Sequence, residues 1–219
     1  MVIIVLADIH GKIDYLPAIS GTLQQADLVL IAGDITNFGG RDRAERIISS
    51  ISQYSKQILA VSGNCDSPSV EEYLNAEGIN LHCNYVNIEG VNFAGVGGSL
   101  PCPGTTLNES PDEDFRILLA GMEAKVSSGD SFVLMTHQPA WGTIVDTVGG
   151  DRHTGSIAIR NFIEKNKPLL AISGHIHEAT GIDSIGETVV INPGPLRLGR
   201  YGYVQIEGAT VNAEIRSVG

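Results

Sequence analysis

Cysteine is scarce in this sequence. The 219 residues include three, Cys65, Cys83 and Cys102, and no two of them form a Cys-x-x-Cys pair. An odd number of widely spaced thiols does not provide the disulfide framework on which small extracellular domains commonly depend. We therefore expect reduced thiols and a location inside the cell.

Basic residues are also few. There are 14 lysines and arginines against 25 acidic residues, which gives a formal net charge of -11 at pH 7. This acidic balance disfavours loose binding to the phosphates of nucleic acids, so we expect no stable nucleic-acid partner. Small phosphorylated substrates stay compatible with the charge, because bound metal ions would reverse the local field.

Long hydrophobic runs are absent as well. The first apolar run follows Met1 directly, without a basic segment before it, and stops at Asp8. It is too short for the hydrophobic region of a signal peptide or for a membrane span. We therefore expect a cytoplasmic protein with no membrane partner.

The overall composition is that of a globular protein, with 42% hydrophobic and 18% charged residues. A chain of 219 residues is long enough for an α/β domain with a full core. No shift in composition and no linker indicates a second domain, so residues 1–219 are expected to form a single one.

Apolar runs alternate with helical spacings in the first part of the chain. This order is typical of parallel strands joined by right-handed crossovers. The predicted strands are residues 2–7, 27–31 and 57–61, and the predicted helices are residues 13–23, 42–53 and 68–76.

The second part of the chain is richer in strands. Residues 85–88 and 91–96 surround Glu89-Gly90 and predict a hairpin. The following residues, 97–110, are rich in Gly, Pro, Ser and Thr and form a loop that is a candidate cover for a site. Beyond it we predict helices at 111–127 and 156–165, strands at 131–135 and 168–172, a glycine-rich loop up to His153, and four mostly antiparallel strands at 179–184, 188–191, 202–206 and 210–215.

Five predicted strands end in side chains that can bind metal ions. In chain order these residues are Asp8, His10, Asp34, Asn64, His137, His175 and His177. The carboxyl ends of parallel strands lie at one edge of a sheet, so we expect these side chains to meet there. Two carboxylates, one amide oxygen and four imidazoles are too many for one tetrahedral ion, and they suit two ions that share a bridging carboxylate.

Each of these residues also has an ordinary explanation when it is taken singly. Asp8 is typical of a strand-end turn, and Gly33-Asp34 and Gly63-Asn64 are typical turn sequences. A single histidine such as His137 is more often a hydrogen-bonded polar residue than a ligand. The placement of all seven at strand ends favours the metal site.

The set of motifs resembles the calcineurin-like metallophosphoesterase superfamily over nearly the whole chain. The matching motifs, in the family's order, are Asp8-x-His10, Gly33-Asp34, Gly63-Asn64-x-Asp66, His137 and Gly174-His175-x-His177. The segments 33–39, 63–66 and Asn192-Pro193-Gly194-Pro195 are most similar to the small single-domain phosphoesterases related to the Icc cyclic-nucleotide enzymes. The resemblance implies an α/β fold in which two mixed β-sheets pack as a sandwich flanked by helices, in four αββα layers.

The resemblance also implies a role for each candidate ligand. Asp8, His10 and His177 would hold one divalent ion, Asn64, His137 and His175 would hold the other, and Asp34 would bridge them. Manganese is our first choice of metal, with iron, zinc, nickel and magnesium as alternatives. The reaction implied is hydrolysis of a small phosphate diester or monoester by a metal-bridged hydroxide, with Asn64 also touching the phosphate.

One position departs from the family pattern. Many members carry His between Asn and the acid of the third motif, where it helps to protonate the leaving group, but this chain has Cys65 between Asn64 and Asp66. The candidate catalytic residues are therefore Asn64, Cys65 and Asp66, although a packed Cys65 is a poor proton donor. Either the leaving groups are acidic, or His153 or a water donates the proton.

Substrate contacts are predicted at Asn64, Arg152 and His153, and Arg197 is a further candidate partner for a phosphate. Solvated surface residues are the competing explanation for both arginines.

Three other functions compete with hydrolysis of a small phosphoester. A binding scaffold of the same fold, like the retromer subunit of this superfamily, is disfavoured because all seven ligands are present. A nuclease acting on short nucleotides is disfavoured by the acidic charge. A protein phosphatase is disfavoured because those enzymes carry Gly-Asn-His-Glu where this chain has Gly63-Asn64-Cys65-Asp66.

Overall fold

Two mixed β-sheets lie at the centre of the protein, as seen in a computed structural model that describes residues 1–55, 57–126 and 131–218. The described strands are β1 Val2–Leu6, β2 Leu28–Ala32, β3 Ile58–Val61, β4 Tyr85–Ile88, β5 Val91–Val96, β6 Phe132–Thr136, β7 Thr147–Val148, β8 Arg152–His153, β9 Leu170–Ile172, β10 Gly181–Ile185, β11 Thr188–Asn192, β12 Arg200–Glu207 and β13 Thr210–Ser217. The described α-helices are α1 Leu16–Gln25, α2 Arg41–Ser52, α3 Pro68–Ala76, α4 Asp112–Glu123 and α5 Ile157–Asn166.

The first sheet has the strand order β13-β12-β1-β2-β3. Strands β1, β2 and β3 are parallel, with Ile3 opposite Leu28 and Val29 opposite Ile58, whereas β12 pairs antiparallel with both β1 and β13. The second sheet has the order β10-β11-β9-β6-β5-β4. Its four central strands are parallel and its two outer strands, β10 and β4, are antiparallel to their neighbours.

Three apolar layers hold the sheets and helices together. The inner layer packs one sheet against the other, with Val5, Leu30 and Phe93 among its fully buried side chains. A second layer lies between the first sheet and helices α1, α2 and α3, and a third lies between the second sheet and helices α4 and α5. The continuous apolar runs of β1 and β2 are explained by this burial on both faces. The sandwich of two mixed sheets flanked by helices is thus confirmed.

The strand ends that carry the candidate ligands belong to both sheets. The pattern of residues placed them at the edge of one sheet, but β1, β2 and β3 lie in the first sheet and β6 and β9 in the second. The division follows from strand pairing, since β9 pairs with β6 and β11 and not with β1. The candidate site is therefore built where the edges of two stacked sheets come together.

Several element boundaries differ from the predictions. Helix α1 begins at Leu16 and not at residue 13, which leaves Pro17 in its first turn, where a missing N–H costs nothing. Helix α4 runs over Asp112–Glu123, and the end predicted at Ser127 lies outside the described residues. Strands β7 and β8 form a short antiparallel pair inside the predicted glycine-rich loop. Among the described helices, none combines the length and hydrophobicity that a membrane span requires.

Candidate metal centre

Backbone geometry marks the strand ends as unusual. Asp8, His10, Asp34 and His175 have φ angles of 51°, 47°, 49° and 69°, in the left-handed region that residues other than glycine seldom adopt. Such conformations cost about 1–3 kcal/mol each and persist where the surrounding structure and a function require them. Of the nine residues other than glycine that have a positive φ in the described part of the chain, these four are predicted ligands.

One group of donor atoms gathers around Asp8. The ligand atoms of Asp8, His10, Asp34 and His177 all lie within 4.8 Å of one another. Nε2 of His177 is 3.2 Å from Nε2 of His10 and 3.4 Å from Oδ1 of Asp8. Asp8 is fully buried, and its Oδ2 has no hydrogen-bond partner within the described part of the chain. A buried carboxylate oxygen without a donor is costly, and a cation at this position would remove the cost.

A second group gathers around Asn64. Its Oδ1 lies 2.9 Å from Nε2 of His137 and 2.9 Å from Nδ1 of His175. Nδ1 of His137 lies 2.8 Å from the carbonyl oxygen of Ala32, an acceptor, so this nitrogen carries the ring proton and Nε2 presents a lone pair. The arrangement is that of an imidazole oriented to bind a metal ion through Nε2.

Asp34 lies between the two groups. Its Oδ2 is 3.4 Å from Nε2 of His10, and its Oδ1 is 3.5 Å from Nε2 of His137. The backbone N–H of Cys65 donates to Oδ1 at 2.8 Å and fixes the carboxylate. One carboxylate therefore faces both groups, as a bridging ligand must.

Burial and neighbouring charges together set the protonation of this cluster. Burial lowers the pKa of His10 to about 4 and that of His175 to about 3, so both rings are neutral near pH 7 and able to bind a cation. Burial would raise the pKa of Asp8, but the hydrogen bond to His177 and the charges of the other imidazoles outweigh it and lower the pKa. Burial raises the pKa of Asp34, a carboxylate that a bound cation would keep ionised.

The donor set fits divalent ions of the first transition series. Carboxylate and amide oxygens together with neutral imidazoles suit manganese, iron or zinc, and no thiolate is placed among the donors described above. The glycines of the motifs make the close approach possible. A Cβ atom at Gly33 would come within 2.6 Å of Cγ of His137, and one at Gly63 would collide with the backbone and carboxylate of Asp34.

Comparison with known proteins agrees with this geometry. The family model for calcineurin-like phosphoesterases matches residues 1–179. The chain belongs to that family. The resemblance carried by the motifs is therefore confirmed at the level of the family.

Individual relatives match this chain over most of its length. The uncharacterized protein MJ1162 of Methanocaldococcus jannaschii is 36% identical over 199 residues, covering 89% of this chain and 88% of that protein. The solved structure of TT1561 of Thermus thermophilus superposes with a TM-score of 0.75 at 18% identity and covers 97% of both chains. A dimetal phosphatase from Danio rerio superposes with a TM-score of 0.70 at 12% identity, covering 99% of this chain and 96% of that one. These two structures share the fold.

Cys65, where the resemblance led us to expect histidine, has a packed environment in the structure. Cys65 is 7% exposed, and burial, aided by the charge of Asp34, raises the pKa of its thiol. Asp66 is fully buried, and its two oxygens accept hydrogen bonds from the backbone N–H groups of Ile35, Thr36 and Gly63 and from the Thr36 hydroxyl. Asp66 thus joins the loops after β2 and β3 and has no free oxygen for an imidazole.

The loop that follows β5 lies against Asn64, as a cover for the site would. Nδ2 of Asn64 donates to the hydroxyl of Thr106 at 3.0 Å, and the backbone N–H groups of Leu107 and Asn108 donate to the Asn64 carbonyl. Glu109 accepts from the hydroxyl and backbone N–H of Thr106 and holds it in place. Thr106 was not singled out in the sequence, because nothing in its spacing distinguishes it from the other polar residues of this loop.

Of the residues predicted to contact the substrate, Arg152 and His153 make no direct contact with the candidate metal ligands among the described residues. His153 is bound through Nδ1 to the buried Asp146 at 2.7 Å, and its ring centroid lies 5.5 Å from that of Trp141. Neither Arg152 nor His153 forms a hydrogen bond or ring contact with any of the seven candidate ligands in the described ranges. Arg197, in contrast, reaches the centre, with Nη2 at 2.9 Å from Nδ1 of His177.

Proposed function

We propose that this protein is a dinuclear metal-dependent phosphoesterase that hydrolyses a phosphate diester or monoester of a small molecule. The observation that carries the proposal is the position of Asp34, whose two carboxylate oxygens face two separate groups of metal-binding atoms. Asp8, His10 and His177 would hold one ion and Asn64, His137 and His175 the other. Manganese is the first metal to test. When bound, such ions act as Lewis acids on phosphoryl oxygens and lower the pKa of water at the site.

The chain's own residues would orient the substrate. Asn64 presents Oδ1 to the two imidazoles, so its amide N–H₂ group faces away from them, where Thr106 now accepts one hydrogen bond. The same nitrogen also lies 3.7 Å from Sγ of Cys65 and 4.0 Å from Sγ of Cys102, which are weak acceptors. We assign the N–H that faces these sulfur atoms to a phosphate oxygen, a stronger acceptor. An N–H in this place stabilises charge that builds up on the phosphate during attack.

Arg197 is a second group that we assign to the phosphate. A guanidinium is a donor only, and here it donates to Nδ1 of His177. If Nε2 of His177 binds an ion, Nδ1 has to carry the ring proton, so Arg197 can no longer donate to it. Nε of Arg197 is buried and has no partner among the described residues. An anion beside His177 would satisfy this guanidinium.

The proton for the leaving group is not supplied by Cys65 in our proposal. Burial raises the pKa of its thiol, which makes it a weaker acid than an exposed cysteine. Substrates whose leaving group is an acidic alcohol or phenol need no strong acid. His153, which the buried Asp146 orients through Nδ1, is the remaining protein candidate for less acidic leaving groups.

The test is hydrolysis of p-nitrophenyl phosphate and bis-p-nitrophenyl phosphate by protein freed of metal and reloaded with Mn²⁺. We expect turnover that requires metal, and the ratio of the two rates distinguishes a monoesterase from a diesterase. Loss of a residue that only supports a metal ligand typically costs 10–100-fold, so Asp34→Asn and His137→Ala, which change ligands themselves, should each lower turnover by at least about 100-fold. Asp151→Asn, in an exposed loop, is the matched control.

Two results would contradict this function. One is hydrolysis that persists unchanged after removal of metal. The other is a reloaded wild-type protein that binds Mn²⁺ and hydrolyses neither ester, since both leaving groups are acidic enough to need no proton donor.

A further inference from the structure

A groove of about 720 Å³ opens beside the candidate metal centre. His10 forms part of its lining and also belongs to the first group of metal-binding atoms. Helix α2 contributes Arg43 and Arg46 to the lining. Asn37, from the loop that follows Asp34, also lines the groove. We call this feature the arginine groove.

The charge of the groove differs from that of the whole chain. Arg43 and Arg46 are one helical turn apart and therefore lie on the same face of α2. Within the described ranges, neither guanidinium takes part in an ion pair or a side-chain hydrogen bond. Glu45 is the acidic residue of the lining, so the two arginines leave an excess of positive charge. Both side chains are exposed and hydrated, so an anionic ligand in the groove would reach them without breaking an existing ion pair of the described residues.

Packing ties Arg43 to the loop that carries Asp34. The aliphatic part of Arg43 lies so close to Gly39 that a Cβ atom there would come within 2.6 Å of Cδ of Arg43. Hydrogen bonds to the loop after β3 hold the same loop in place. The backbone N–H and hydroxyl of Thr36 donate to Asp66, and the N–H of Phe38 donates to the Cys65 carbonyl. The aliphatic part of Arg43 thus packs against the loop that carries Asp34, while the side chain as a whole is exposed to the groove.

The lining of the groove also includes apolar side chains. Ile13 and Ile47 are among them. A carbon chain or sugar would pack against such side chains, and guanidinium groups bind phosphate and carboxylate oxygens with paired hydrogen bonds. The groove therefore combines a metal-binding residue, apolar side chains and two guanidinium groups.

We propose that the arginine groove binds a second anionic group of the substrate, a phosphate or a carboxylate, while the first phosphate lies at the metal centre. This inference rests on the proposed function, and it narrows the substrate class to phosphoesters with two anionic ends. Arg43 and Arg46 are the residues that determine this specificity.

The experiment compares three ligands on the Mn²⁺-loaded protein: propylphosphonate, 3-phosphonopropanoate and propane-1,3-bisphosphonate. Binding is measured by calorimetry and, independently, as competitive inhibition of p-nitrophenyl phosphate hydrolysis. We expect the two ligands with a second anion to bind more tightly than propylphosphonate, and the better of them identifies the second group as phosphate or carboxylate. An exposed charge pair contributes up to about 1 kcal/mol, so Arg43→Gln and Arg46→Gln should each reduce this preference by up to about fivefold.

Two further variants make the comparison specific. Arg41→Gln is the matched control, because Arg41 lies on the same helix but stacks over Tyr73 at 5.5 Å and does not line the groove. It should leave the preference unchanged. Gly39→Ala should reduce the preference as Arg43→Gln does, since the added methyl group displaces Arg43.

The inference is overturned if the wild-type protein binds all three ligands equally well. It is also overturned if the preference persists in the double variant Arg43→Gln and Arg46→Gln, because the second anion would then contact the metal ions and not the groove. Both results are distinct from a failure of the proposed function, in which the wild-type protein would show no metal-dependent hydrolysis of p-nitrophenyl phosphate.

Discussion

At the scale of single residues, the candidate centre depends on how closely side chains from different loops approach. The ring of His137 lies directly over Gly33, and the carboxylate of Asp34 lies over Gly63. Asp8 and Asp34 adopt left-handed backbone conformations that turn their carboxylates toward the imidazoles. The glycines are therefore as important to the position of the ligands as the ligands' own hydrogen bonds.

We predict that Gly33→Ala disrupts metal binding at His137. Gly33 has a φ of 85°, and its Cβ atom would collide with the His137 ring. Gly78 is the matched control, since its φ of 69° imposes similar strain and nothing lies within 4 Å of its Cβ position. Left-handed strain costs about 1–2 kcal/mol, so Gly78→Ala should lose that much stability and keep its metal affinity.

Denaturant unfolding and Mn²⁺ titration measure both effects. Gly33→Ala should be less stable than Gly78→Ala and should bind Mn²⁺ at least about tenfold more weakly, as expected when the support of a ligand is lost. Equal metal affinity in the two variants would show that the His137 ring is not held as described here.

At the scale of elements, the strands and helices were largely predictable and the loop contacts were not. Buried strands such as β1 and β2 have continuous apolar runs, and α2 has an apolar face of Ala44, Ile47, Ile48 and Ile51. Because these apolar runs show where each strand ends, the ligand motifs that follow the strands could also be identified from the sequence. The contact between Asn64 and Thr106 joins parts of the chain 42 residues apart that meet only in the folded protein, so no local pattern reveals it.

The division of the strands between two sheets could not be predicted from the pattern of residues either. Apolar runs identify buried strands but carry no information on which strand pairs with which. Here β1, β2 and β3 pair with one another, and β6 and β9 pair in the second sheet. The family resemblance predicted the sandwich of two sheets, whereas the residues alone predicted that all the ligands lie at one edge of a single sheet.

The loop over Asn64 provides a prediction at this scale. Thr106→Val removes the hydroxyl that accepts from Nδ2 of Asn64 while keeping the shape of the side chain. A neutral hydrogen bond contributes about 0.5–1.5 kcal/mol, so the affinity for the second Mn²⁺ should fall about two- to tenfold. Thr106→Ser, which retains the hydroxyl, should restore it. Calorimetric titration of the metal-free protein measures both variants, and a Val variant indistinguishable from wild type would exclude this role for Thr106.

At the scale of the whole molecule, the seven candidate ligands come from loops of both sheets. Asp8, His10, Asp34 and Asn64 follow strands of the first sheet, and His137, His175 and His177 follow strands of the second. A pair of bound ions would therefore cross-link the two halves of the sandwich. The cytoplasmic location, the single domain and the choice of manganese stay predictions.

The most direct test of the two-metal centre is the number of ions bound per chain. The protein is freed of metal, reloaded with Mn²⁺, desalted and analysed by inductively coupled plasma mass spectrometry alongside His137→Ala and Asp8→Asn, with circular dichroism to confirm folding. We predict two ions per chain in the wild-type protein and one in each variant, because each substitution removes a ligand of one ion only. One ion or none in the folded wild-type protein would contradict a dinuclear centre bridged by Asp34.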